Sequence, residues 1–141
     1  MCKTSIQVMS HPILIVDDDE DILELFKLIL EEEGYRVDTA ICGREAMEKA
    51  SKNYYYLALL DFVLPDIKGT EVAKALYFSN RISNVLFITG YSHIFDFIDP
   101  VIKDLCKVLL KPVSGEVLVE FVRAALEPPD MIGVRELVST I

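Results

Sequence analysis

Short apolar runs alternate along the chain with stretches in which hydrophobic residues recur every three or four positions. Ile13-Leu14-Ile15-Val16 is the first run, and its lack of polar residues reads as a strand buried on both faces, the habit of a parallel sheet. It stops at Asp17-Asp18-Asp19. Ile22, Leu25, Phe26, Ile29 and Leu30 then form a helical stripe, with Asp19 as N-cap and Glu20 and Asp21 at the positive end of the helix dipole. Gly34 ends that helix, Tyr35 to Ala40 reads as a second strand, and Ala46, Met47 and Ala50 mark one face of a short helix between Gly43 and Ser51. Leu57-Ala58-Leu59-Leu60 repeats the buried-strand signature and runs into Asp61. A loop with Pro65 and Gly69 leads to a helix through Val72, Ala73 and Leu76. Val85-Leu86-Phe87-Ile88, ending at Thr89-Gly90, is the fourth strand, and Val108-Leu109-Leu110, ending at Lys111-Pro112, is the fifth. A last helix, from about Ser114 to Leu126, stops before Pro128-Pro129.

Strand starts at 13, 35, 57, 85 and about 107 are mostly 22 residues apart, one strand-helix unit each. Five such units with right-handed crossovers predict a doubly wound α/β sandwich around a parallel sheet. The pattern predicts a single domain over residues 12–127, between an N-terminal extension, 1–11, and a C-terminal tail, 128–141. In the tail, Val134, Leu137, Val138 and Ile141 fall at helical spacing; it is too short for an effector domain, and reads as a segment docking on the body or a partner, or as the start of a linker. Between the fourth and fifth strands, Ile94, Ile98, Val101 and Leu105 form a helical stripe that Phe95, Phe97 and Ile102 widen. Two readings stand for this fourth helix: a partner surface, or a helix sunk deeply in the core. Pro100 would either kink it or open a new helix with Asp99 as N-cap.

Composition narrows the function. The 141 residues include 52% hydrophobic ones, enough for a sizeable core, and 14 basic against 23 acidic residues give a formal charge of −9. With no segregated basic patch, such a surface repels nucleic acid and anionic lipid, so neither direct nucleic-acid binding nor membrane association is expected. Cys2, Cys42 and Cys106 are widely spaced with no Cys/His cluster, which fits reduced thiols rather than disulfides or zinc; Cys42 and Cys106 read as packing residues. No apolar run approaches the ~20 residues of a membrane span, and the first ten residues lack a signal-peptide pattern, so a cytoplasmic protein is expected.

Open parallel α/β sheets bind ligands outside the carboxyl ends of their strands. Here strand one ends in Asp17 and Asp18, strand three in Asp61, strand four in Thr89 and strand five in Lys111. Two carboxylates ~5 Å apart repel by roughly 3 kcal/mol at an effective dielectric of ~20, so three together raise one another's pKa or need a cation. Hard carboxylate oxygens without His or Cys favour Mg²⁺. An Asp can attack phosphorus, and a transferred phosphoryl group needs its oxygens neutralised and hydrogen-bonded. Metal carboxylates, Lys111 and Thr89 supply those parts.

The stretches ILIVDDDEDI, LALLDFVLPDIKGTEV, VLFITG and VLLKP, in that order, resemble the receiver domain of two-component response regulators, over roughly residues 12–127. The resemblance implies the flavodoxin-like strand order 2-1-3-4-5. It matches Asp17 and Asp18 to the acidic pair holding Mg²⁺, Asp61 to the phosphoacceptor and third metal carboxylate, and Val63 to a residue lending its backbone carbonyl to the metal. Thr89 matches the hydroxyl that engages the phosphoryl group, and Lys111 its basic partner, with a cis Lys111-Pro112 bond. The implied donor is a phospho-histidine on a sensor histidine kinase or phosphotransfer protein. The implied output is control of a partner, or homodimerisation, through the face running from the fourth helix to the fifth. Such a switch turns over no separate substrate and in that sense is not an enzyme. One departure stands out: three residues before the lysine, where the family usually places Tyr or Phe, this chain has Val108. Asp19 reads as a cap rather than a metal ligand, Asp66 and Gly69 as shaping the loop, and His93 as a surface residue. Two rivals remain. One is a receiver-fold scaffold that binds partners without phosphorylation. The other is an Asp-dependent phosphohydrolase, which would place its nucleophile in a DxD pattern after the first strand.

Overall fold

The computed structural model describes residues 12–126. The predicted extension and tail, with Cys2 and the Val134–Ile141 stripe, lie outside the described residues. The elements run β1 (Ile13–Val16), α1 (Glu20–Glu32), β2 (Val37–Ala40), α2 (Gly43–Lys52), β3 (Tyr55–Leu60), α3 (Gly69–Phe78), β4 (Ile82–Thr89), two 3₁₀ turns (Ile94–Phe97 and Lys103–Leu105), β5 (Cys106–Leu110) and α4 (Gly115–Leu126). All strand pairs are parallel, and the sheet order is β2-β1-β3-β4-β5, the flavodoxin-like order expected from the sequence.

Alternation along the buried strands divides the core into two layers. Ile13, Ile15, Leu57, Leu59, Leu86 and Ile88 pack against Leu23, Phe26 and Leu30 of α1 and Leu118 and Val122 of α4. Their neighbours Leu14, Val16, Ala58, Leu60, Val85 and Phe87 pack on the opposite face against Ala46 and Ala50 of α2 and Val72, Ala73 and Leu76 of α3. Covering both faces explains why these strands carry no alternating polar residues.

Element ends follow their caps. The Asp19 carboxylate accepts from the N–H groups of Asp21 and Ile22 at 3.0 and 3.3 Å. Gly34, at φ 97°, closes α1 by donating to Glu31 O, and Tyr35 N–H donates back to Leu30 O. That turn consumes Tyr35, so β2 begins at Val37 rather than at the expected Tyr35. Cys42 caps α2 through its sulfur, which accepts from Glu45 N–H, and both Cys42 and Cys106 are half-buried.

The segment between β4 and β5 corrects the sequence reading, since no α-helix forms there. Ile98 is extended, at φ −83° and ψ 125°, and separates the two 3₁₀ turns. Pro100 disfavours a helical Asp99, whose carboxylate instead accepts from Val101 N–H at 2.9 Å while its carbonyl takes Ile102 N–H. Asp99 thus acts as a local cap, as one of the two readings had it, but to a turn rather than a helix. Ile94, Ile98 and Ile102 enter the α2/α3 layer and are at most 4% exposed, whereas Val101 is 63% exposed.

In an α-helix Val101 would share the face of Ile94 and Ile98, and mutation separates a core-facing helix from the turns. Ile98→Ala and Ile102→Ala are each expected to cost about 2–4 kcal/mol in urea unfolding, and Val101→Ala less than about 0.5 kcal/mol.

Candidate functional site

At the carboxyl edge of the sheet the strands deliver their polar residues to one place. Asp17 N–H donates to Ala40 O at 3.1 Å, and Asp61 N–H donates to Val16 O at 3.0 Å, so both aspartates continue the ladder by one residue. Continuation of the ladder fixes their backbones, and the covering layers bury them to 4% and 7% exposure. Asp18 stays exposed, yet one carboxylate oxygen each from Asp17, Asp18 and Asp61 lies within 4.8 Å of the others.

Lys111, just past β5, reaches across this group. Its Nζ donates to Asp17 Oδ2 at 2.8 Å and to Asp61 Oδ2 at 2.7 Å. Its own N–H donates to Thr89 O at 2.8 Å, and the Lys111-Pro112 peptide is cis. Burial raises the Asp17 pKa above its ordinary 3.8; hydrogen bonds from Lys111 and from Asp19 N–H work against that rise, and the Asp61 charge adds to it. Burial by itself would lower Lys111, but the hydrogen bonds to Asp17 and Asp61 outweigh it and hold the ammonium above its ordinary 10.5. Three carboxylates against one ammonium leave a net charge of −2 when all are ionised. This donor set, all hard oxygen with surplus negative charge, fits a divalent cation of the Mg²⁺ type.

Thr89 ends β4 buried, its Oγ1 accepting from Tyr91 N–H at 3.2 Å. Val63 is exposed, and its N–H donates to Asp61 Oδ1 at 3.2 Å. Gly69 is required by contact, because a Cβ there would fall 2.0 Å from the Asp61 carbonyl oxygen. Val108 pairs with Phe87 and packs half-buried on the α2/α3 layer. Aromatic rings gather instead beside Asp61. Phe62 stacks on Tyr91 with centroids 4.9 Å apart, Phe97 lies 5.1 Å from Phe62, and Lys68 Nζ sits 5.0 Å over the Phe97 ring. The sequence reading missed this cluster, because its members come from two connections that only the fold brings together. His93 is exposed and stands edge-on to Tyr91.

Comparison with known proteins agrees with this geometry. The family model described as response regulator receiver domain matches residues 13–123. The chain belongs to the response regulator receiver family. Among curated relatives, the response regulator ArlR of Staphylococcus saprophyticus is 34% identical over 114 residues, which cover 81% of this chain and 51% of that protein. The chain thus spans about half the length of the curated relatives it matches. A CheY-like receiver domain protein from Methanospirillum hungatei superposes with a TM-score of 0.70 at 35% identity, covering 81% of this chain and 91% of that one. The response regulator TrrA of Thermotoga maritima, solved in complex with Mg²⁺-BeF, gives a TM-score of 0.71 at 34% identity, covering 82% of this receiver and 99% of TrrA. No helix among the described residues is long and apolar enough to cross a membrane.

The receiver's ammonium bridge sets a stability prediction. With divalent cations chelated, Lys111→Met is expected to lower the unfolding free energy by roughly 2–3 kcal/mol at neutral pH, because two largely buried carboxylates lose their partner. Lys111 titrates above its unfolded value, so the bridge is fully present at neutral pH and is lost as pH rises past 10.5. In the variant Asp17 keeps its burial and loses the Lys111 bond that opposed it, so its carboxyl binds protons more tightly folded than unfolded and the deficit shrinks as pH falls toward the aspartate range; urea titrations from about pH 4 to about pH 11 check both limbs.

Proposed function

We propose that this receiver accepts a phosphoryl group on Asp61 from a phospho-histidine of a sensor histidine kinase or phosphotransfer protein, in a Mg²⁺-dependent reaction, and changes conformation to control a partner. The observation that carries the reading is the Asp17, Asp18 and Asp61 cluster, with Lys111 bonded to two of its members at 2.7 and 2.8 Å.

Asp61 Oδ attacks phosphorus, the P–N bond breaks, the imidazole leaves with the bond's electron pair, and an acyl phosphate forms. Asp17, Asp18, the other Asp61 oxygen and the Val63 carbonyl are the groups that would hold the ion. The ion, when bound, neutralises charge on the phosphoryl oxygens. Lys111 is bonded to the attacking residue in the resting state and is in place to move onto a phosphoryl oxygen once transfer draws charge away from the carboxylate. The Thr89 hydroxyl, at the neighbouring strand end, would hydrogen-bond another oxygen. Added phosphoryl charge then shifts the receiver between two conformations.

For output, the face made by the 3₁₀ turns, β5 and α4 is the favoured contact surface, for a partner or a second copy. Leu105, Lys107, Phe121 and Ala125 share a small groove there. With Val108 in place of a ring, transmission from Thr89 cannot run through an aromatic on β5. That departure keeps the unphosphorylated scaffold as the second reading. The net charge of −9 supports protein rather than nucleic-acid partners, and a cytoplasmic setting fits a kinase-fed switch.

Incubation with acetyl phosphate, read by intact mass, tests the proposal. The expected outcome is a Mg²⁺-dependent gain of one phosphoryl mass that Asp61→Asn abolishes. No gain after fast acid quench would favour the scaffold.

A further inference from the structure

The loop from Asp61 to Gly69 carries both the acceptor and Val63, so its placement decides how the site is assembled. Its two ends are joined by the Gly69 N–H bond to Phe62 O at 2.8 Å. Its middle is tied elsewhere. Asp66 Oδ1 accepts from Gly43 N–H at 2.9 Å and Asp66 Oδ2 from Arg44 N–H at 2.8 Å, the first two residues of α2. Asp66 Oδ1 also takes Ile67 N–H at 2.8 Å. Ile67 fills the space a Gly43 side chain would need, since a Cβ there would meet Ile67 Cγ1 at 2.4 Å. The N–H groups of Arg44 and Gly43, in that order, hold the Asp66 carboxyl down at about 2, so the clamp is ionised and closed across the physiological range.

What makes this clamp more than a helix cap is the other end of the same connection. Ala40, three residues before Gly43, accepts the N–H of Asp17. Residues 40–44 therefore hold both halves of the site, Asp17 through Ala40 O and the acceptor loop through Gly43 and Arg44. We infer that Asp66 is a positioning residue for phosphoryl transfer: its bonds to Gly43 and Arg44 keep the loop bearing Asp61 and Val63 in register with Asp17 and Asp18. Asp66 touches no reacting atom. The inference rests on the reading of Asp61 as phosphoacceptor.

Two substitutions open the clamp from opposite sides. Asp66→Ala removes the acceptor. Arg44→Pro removes one donor in the first turn of α2, where the N–H has no intrahelical partner to lose. Ile82→Val, a core change at the far end of β4, serves as a control for general destabilisation. Initial phosphorylation rates are measured against acetyl phosphate and Mg²⁺ concentration, with amide hydrogen exchange of the 62–68 segment alongside. The expected result is a fall in the maximal rate of roughly tenfold or more for Asp66→Ala, less for Arg44→Pro, and a raised Mg²⁺ requirement in both. Asp66→Asn, which keeps one acceptor oxygen, recovers part of the rate. Exchange in the 62–68 segment speeds up in the clamp variants and stays at the wild-type rate in Ile82→Val. Wild-type rates, Mg²⁺ dependence and loop exchange in Asp66→Ala and Arg44→Pro would overturn the inference and leave Asp66 a cap. A wild-type protein that takes no phosphoryl group would overturn the phosphoacceptor reading, and this inference with it.

Discussion

Two carboxylates buried one residue past the ends of adjacent strands are tolerable only because a cation stands between them. Asp17 and Asp61 each give an oxygen to the Lys111 ammonium. Without it, both would face a desolvation cost that mutual repulsion makes worse. The bridge therefore constrains the fold as well as the chemistry. It joins the end of β5 to β1 and β3 across the end of β4. The same lysine fastens its backbone to Thr89, so the ends of four strands meet at a single residue. One ammonium does not balance three carboxylates, however, and the residual charge is what leaves room for a divalent ion.

Around that centre the supporting contacts run through backbone atoms. Strand ladders place Asp17 and Asp61, the missing Cβ of Gly69 lets α3 begin against the Asp61 carbonyl, and the β2–α2 connection grips Asp17 and the acceptor loop together. Each of these contacts has a backbone atom on at least one side, and only the Asp66 clamp depends on a side-chain rotamer, which suits the precise placement that the proposed phosphoryl transfer needs. Polar atoms that are bonded in this way leave no buried side-chain nitrogen or oxygen without a partner among the described residues.

The ring cluster is built without β5. Val108 packs quietly against Phe87, and the rings lie at the mouth of the site, where Phe62, Tyr91 and Phe97 contact one another and Tyr91 N–H meets the Thr89 hydroxyl. The crossover from β4 to β5 is built from 3₁₀ turns whose isoleucines anchor it in the core while Phe95 and Val101 face outward. Turns of this sort have fewer internal hydrogen bonds than a helix and less cost to rearrange.

β1, β3, β4 and β5 and the parallel pairing were legible from the chain, because uninterrupted apolar runs have few other uses and each one stopped at a polar residue that the fold brings to the carboxyl edge of the sheet; β2, interrupted by Asp38 and Thr39, was legible only approximately. Asp19, Gly34 and Ser114 likewise marked helix ends, since capping is a local interaction: Ser114 Oγ accepts from Val117 N–H as α4 begins. Tertiary structure decided the rest. Ile94, Ile98, Val101 and Leu105 have helical spacing, yet the Asp99-Pro100 turn and the pull of three isoleucines into the α2/α3 layer outweighed it. Asp66 looked like a loop residue because its partners lie more than twenty positions away, at the start of α2. The aromatic cluster stayed hidden for the same reason. Periodicity and capping are encoded over a few neighbouring residues, whereas a clamp or a ring stack exists only after distant connections have been folded to the same edge of the sheet.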